Sequence, residues 1–132
     1  MADTEWWAEI DLPATVHSPG AARRLVEELL LAWGRPYLDD AVEVARLVVS
    51  ELVTNSVRHA SDGGVLHLLL RADQSGGVYL AISDGSAVAP AMRDLTSDSE
   101  GGRGLHIVDK LAARWGVTTD TAGGKSIWVQ LS

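Results

Sequence analysis

The chain has 132 residues, 46% apolar and 22% charged, with a net charge of −7 and no cysteine. That is one domain long enough to bury a sizeable core, with the composition of a soluble globular protein rather than a disordered or fibrous one. Absent cysteine excludes disulfides, thiolate metal sites and thiol nucleophiles. Lysines and arginines spread without a cluster argue against nucleic acid, and no apolar run reaches the roughly 20 residues that cross a bilayer.

The start Met1-Ala2-Asp3-Thr4-Glu5 is acidic where a signal peptide is basic, so no export and a cytoplasmic address are expected. Trp6 to Leu12 alternates loosely and predicts a strand ended by Pro13. Ser18 as N-cap and Pro19 at the first helical position open a helix whose stripe is Ala22, Leu25, Val26, Leu29, Leu30 and Trp33, stopped by Gly34 and Pro36. Asp39 or Asp40 caps a second, longer helix. It turns Val42, Ala45, Val49, Leu52, Val53 and Val57 to a core and ends near His59-Ala60.

Val65–Arg71 and Val78–Ser83 read as strands of a hairpin around Asp73-Gln74-Ser75-Gly76-Gly77. Residues 87–101, rich in Ser, Asp, Gly, Ala and Pro, lack a period and predict a mobile loop. Leu105–Trp115 is a predicted helix, and Val117–Thr121 and Ser126–Leu131 are closing strands. This order implies a single α/β domain over residues 1–132, with a mixed, mostly antiparallel sheet and helices packed on one face.

Four features carry chemistry. Glu51 and Asn55 lie one helical turn apart on one face, in a polar-leaning stripe with Val48 and Arg58. Such a pair can activate a nucleophile while the amide oxygen holds Mg²⁺; it also suits an ordinary solvated helix face. Asp84 follows a strand and can accept a hydrogen bond from an exocyclic amine, although Asp-Gly is equally a common turn. Gly101-Gly102-Arg103-Gly104 leads into the Leu105 helix, where glycines admit an anion close to the backbone and Arg103 adds a phosphate contact. Gly124-Lys125-Ser126 looks like the end of a phosphate-binding loop, but Thr119 stands where its first glycine belongs and no helix follows. The histidines at 17, 59, 67 and 106 lack metal-ligand spacing.

Taken in order, Glu-Leu-Val-Thr-Asn-Ser-Val-Arg-His-Ala (51–60), Ile-Ser-Asp-Gly-Ser (82–86), Gly-Arg-Gly-Leu-His-Ile-Val-Asp-Lys-Leu-Ala (102–112) and Gly-Lys-Ser-Ile-Trp-Val (124–129) resemble the histidine-kinase-like ATPase superfamily. Within it the likeness is to small anti-sigma-factor serine kinases and related actinobacterial ATP-binding regulators. The resemblance implies a two-layer α/β sandwich of the Bergerat type binding ATP and Mg²⁺, with residues 87–101 as the lid. It makes Glu51 the catalytic base, Asn55 the Mg²⁺ ligand, Asp84 the reader of the adenine amine, and Gly102 and Gly104 the phosphate cradle. Ser126 takes the hydroxyl position near adenine; Ser86, Arg103, Leu105 and Lys125 join the nucleotide-contacting set. The family's box Asp-x-Gly-x-Gly is altered, with Ser86 and Val88 replacing its glycines. The implied partners are a sigma factor and an antagonist protein, with no nucleic acid and no membrane; related kinases often dimerise. The alternatives are a protein-sequestering module with a weak nucleotide site, and an ATPase component of a larger complex.

Overall fold

A computed structural model describes residues 5–34, 39–59, 64–84, 100–119 and 125–131, with backbone alone at 39, 59, 100–105 and 119. In chain order the elements are β1 (Glu5–Pro13), α1 (Ser18–Ala32), α2 (Asp39–His59), β2 (Val65–Asp73), β3 (Val78–Asp84), α3 (Glu100–Leu111), β4 (Arg114–Thr119) and β5 (Lys125–Gln130). Among the described residues five strands form one sheet in the order β1-β2-β3-β5-β4, and every pairing is antiparallel.

Period-2 alternation sets the two faces of the sheet. Leu66, Leu68 and Leu70 of β2, Val78, Leu80 and Ile82 of β3, and Ile127 and Val129 of β5 are buried toward the helices. They meet Ala22, Val26 and Leu30 of α1, Ala45, Val49, Leu52 and Val53 of α2, and Val108 of α3. Val48, expected on the polar stripe of α2, is fully buried in this core, because the apolar arc of α2 is wider than its sequence stripe suggests. The other sheet face carries Trp7, His67, Arg71, Tyr79 and Trp128, with no helix over it among the described residues. There Tyr79 and Trp128 stack at 6.4 Å, and the Arg71 guanidinium lies 4.6 Å from the Tyr79 ring.

Local signals place the turns. His17, not Ser18, holds the cap position of α1, and it makes no side-chain cap bond; the Ser18 hydroxyl instead donates to the Pro13 carbonyl, tying the helix start to the end of β1. Asp73 organises the β2–β3 hairpin by accepting from the Ser75 and Gly77 N–H groups, both at 2.9 Å, and Gly76 supplies the positive φ of 92° that the turn needs. Helix α3 starts at Glu100 and ends at Leu111, and β4 begins at Arg114. The helix expected over 105–115 is therefore displaced toward the N-terminus. Trp115 pairs with Val129 instead of closing a helix. Among the described residues no helix is long and apolar enough to cross a membrane.

Candidate functional site

One end of the helix–sheet sandwich gathers the chemistry, and chain geometry explains why. Leu66, near the start of β2, pairs with Asp84 at the end of β3, and Asp84 pairs with Lys125 at the start of β5. Residues 60–64 alone join the end of α2 to β2, a reach of at most about 18 Å, so the last turns of α2 lie over that same end. Helix α3 packs on α2 and delivers the chain into β4, where Arg114 pairs with Gln130 at the far end of β5. Its C-terminus is thus distant and its N-terminus returns to the Asp84 end. The start of α1 joins them through Ser18 and Pro13, and Pro13 pairs with Val65.

Buried polar side chains gather here, among them an amide, a carboxylate and an ammonium. Asn55 is 3% exposed, Asp84 7% and Lys125 3%. The Asn55 Nδ2 amide is sealed from solvent with no hydrogen-bond partner among the described residues. An unpartnered buried amide costs about 1–3 kcal/mol. Glu51, one turn earlier and half-buried, shares its helix face. The Lys125 ammonium lies 4.0 Å from the Asp84 carboxylate, both side chains almost fully enclosed.

That ion pair was not anticipated, although the signal for it was present. Lys125, Ile127 and Val129 alternate along β5, which turns Lys125 inward with the two apolar residues. The same alternation sends Ser126 to the opposite face, where its hydroxyl bonds that of Ser83. Ser126, expected near adenine, thus lies on the sheet face opposite to Asp84, and Lys125 holds the place beside Asp84.

Gly102, Arg103 and Gly104 lie within the first turns of α3, not in a turn before it. The first four N–H groups of a helix lack intrahelical partners, so the backbone there is suited to an anion. The side chains of Arg103 and Leu105 fall outside the described residues, as do Ser86, Val88 and the expected lid up to residue 99. His67 is a cross-strand partner on the open face: its Nδ1 lies 2.7 Å from Asp11 Oδ1 and its Nε2 3.6 Å from Glu9. The Asp11 hydrogen bond, then that of Glu9, outweighs partial burial and raises its pKa above 6.5. No group of three or more His, Asp or Glu side chains among the described residues is arranged to hold a metal ion.

The family model described as histidine kinase-like ATPase domain matches residues 12–131. Among solved structures, the RsbU and RsbW domains of Rv1364c from Mycobacterium tuberculosis are similar with a TM-score of 0.69 and 19% identity, over 95% of this chain and 32% of that one. The histidine kinase domain from the Erythrobacter litoralis EL346 blue-light activated histidine kinase gives a TM-score of 0.57 and 19% identity, over 91% of this chain and 61% of that one. The chain thus spans 32% and 61% of the lengths of these two neighbours, and at such identity the likeness is one of fold. No curated protein matches.

Proposed function

The chain belongs to the histidine kinase-like ATPase domain family, and from that premise we propose that it binds ATP with Mg²⁺ and serves as an anti-sigma factor that phosphorylates a serine or threonine of an antagonist protein in the cytoplasm. The observation that carries this reading is the buried Asn55 Nδ2, without a hydrogen-bond partner among the described residues, at the end of the sandwich where Asp84 is also buried. The unpartnered atom is the Nδ2 donor, which suits an acceptor oxygen of a ligand, and the oxygen of the same amide is of the hard donor type that suits Mg²⁺.

In this reading the Asp84 carboxylate accepts the hydrogen bond of the adenine amine. The free N–H groups at the start of α3 face the phosphates, and Arg103 adds a cation there. Bound Mg²⁺ supplies charge neutralisation on the terminal phosphates. Glu51 takes the proton of the acceptor hydroxyl as that oxygen bonds to the γ-phosphorus and ADP departs. Such transfer depends mainly on positioning and electrostatics, so this inventory suffices. The anti-sigma assignment rests on the resemblance of the 51–60 and 102–112 segments to small anti-sigma-factor kinases.

A second reading, a sequestering module with a weak nucleotide site, draws on two observations: Ser86 and Val88 replace the glycines of the family's box, and Lys125 already engages the Asp84 carboxylate. A thermal melt with Mg-ATP tests the shared premise. Ligand at about 100 times its Kd adds roughly 2.7 kcal/mol, a rise of several degrees; no rise at millimolar Mg-ATP rules out nucleotide binding. Glu51→Ala then separates the readings. A kinase loses transfer and keeps its partner, whereas a sequestering protein is unchanged in both.

A further inference from the structure

A cleft of about 620 Å³ opens between the first turns of α1 and the last turns of α2, lined by His17, Gly20, Arg23, Arg24, Thr54 and Arg58 among others. In a chain of net charge −7 with only eleven lysines and arginines, three arginines and a histidine on one concavity are a strong local reversal of sign. The guanidiniums also converge. A Cβ built on Gly20 would stand 3.5 Å from Arg23 Nη2 and 3.6 Å from Arg24 Nη1, so both arginines fold over the same bare stretch of backbone. Arg23 is held there by donating from Nη1 to the Ser50 hydroxyl at 2.7 Å. Like charges brought together cost free energy unless an anion accompanies them. Neither arginine has a carboxylate partner among the described residues. The first turn of α1 contains no acidic residue either, so the positive end of the helix adds to the same field.

We propose that this cleft is an anion site that takes a phosphate group, distinct from the nucleotide pocket. Phosphate is the chemistry that fits. Guanidinium forks pair with its oxygens bidentately, and a dianion with several oxygens answers two converging arginines better than a single carboxylate does. The site is distinct in its lining, which comes from the first turns of α1 and from Thr54, Val57 and Arg58 of α2 and does not include Asn55, Asp84 or Lys125. The proposal stands whether or not the chain is a kinase.

Titration calorimetry of inorganic phosphate into the full chain, in chloride buffer, is the test. One saturable site is expected. Arg24 is exposed, so Arg24→Gln leaves the fold intact and should weaken binding about tenfold, the loss of one charge-assisted contact; adding Arg23→Gln should abolish it. Gly20→Asp provides an independent variant. Its Cβ stands at ordinary van der Waals distance from both arginines and carries a carboxylate toward the guanidiniums, so phosphate binding should vanish while the melting midpoint rises. O-phosphoserine run in parallel reports the source: tighter binding than inorganic phosphate means a phosphate carried on protein, weaker binding a free one. No saturable phosphate binding, or unchanged affinity in both Arg24→Gln and Gly20→Asp, overturns the site. Displacement of phosphate by saturating Mg-ATP overturns its separateness from the nucleotide pocket.

Discussion

Replacing Lys125 by methionine removes one charge of the buried Asp84–Lys125 pair while keeping most of the side-chain volume. At 4.0 Å two unit charges attract by about 4 kcal/mol at an effective dielectric of about 20. Breaking a buried pair by deleting one partner costs roughly 3–5 kcal/mol where nothing else holds the remaining ion, and the further interaction that Asp84 keeps places the expected loss toward the lower end. In a domain of this size that lowers the melting midpoint by about 10 °C or more. Removing both charges, as Asp84→Asn with Lys125→Met, leaves no stranded ion and should recover most of the loss. The assay is chemical denaturation of wild type, the two single variants and the double variant at neutral pH without nucleotide. A loss under about 1 kcal/mol for Lys125→Met, or a double variant as unstable as the sum of the singles, would show that the two charges do not stabilise one another.

Asn55→Leu should leave the nucleotide-free protein as stable as wild type or more so, since it removes an unpartnered buried amide worth about 1–3 kcal/mol, and should erase any midpoint rise given by Mg-ATP. The raised pKa of His67 stabilises the fold fully below pH 6.5 and is lost as pH rises through the higher folded value. His67 is well exposed, so the effect is under about 1 kcal/mol, and His67→Gln should flatten the stability–pH curve above pH 6.5. Asp73 has its pKa lowered from 3.8 chiefly by the Ser75 hydroxyl and then the Gly77 N–H. Its contribution holds above pH 3.8 and fades as pH falls through the lower folded value, a slope that Asp73→Ala should remove in acid titration. At Gly116 an added Cβ would meet the Trp128 indole at 2.9 Å, so Gly116→Ala should cost about 1–3 kcal/mol and displace Trp128 from its stack on Tyr79. Tryptophan emission and the melting midpoint read both, and an unmoved spectrum refutes the contact.

Much of this molecule is written locally. Among the described residues the type and order of elements follow from hydrophobic period and turn chemistry, as with the Asp73–Gly77 hairpin and the length of α2. The pairing of Glu51 with Asn55 on one helix face follows from the 3.6-residue repeat alone. What periodicity in single segments did not reveal was how far each element runs and what its residues meet. Helix α3 reaches back to Glu100 through glycines of poor helix propensity, a case where packing on α2 outweighs local preference. Val48 is core because α1, α2 and the sheet enclose it together.

The contrast is sharpest at β5. The alternation of Lys125, Ile127 and Val129 already fixed which side of the strand each residue takes, and with it the exclusion of Ser126 from the pocket. Only the antiparallel register of β3 with β5 decided that Lys125 stands beside Asp84. Only the packing of α1 on α2 brought Arg23, Arg24 and Arg58 to a single cleft. Sequence determines the face a side chain takes, because backbone geometry repeats every two or 3.6 residues. Which distant side chain it then faces is settled when whole elements bury their apolar surfaces against one another.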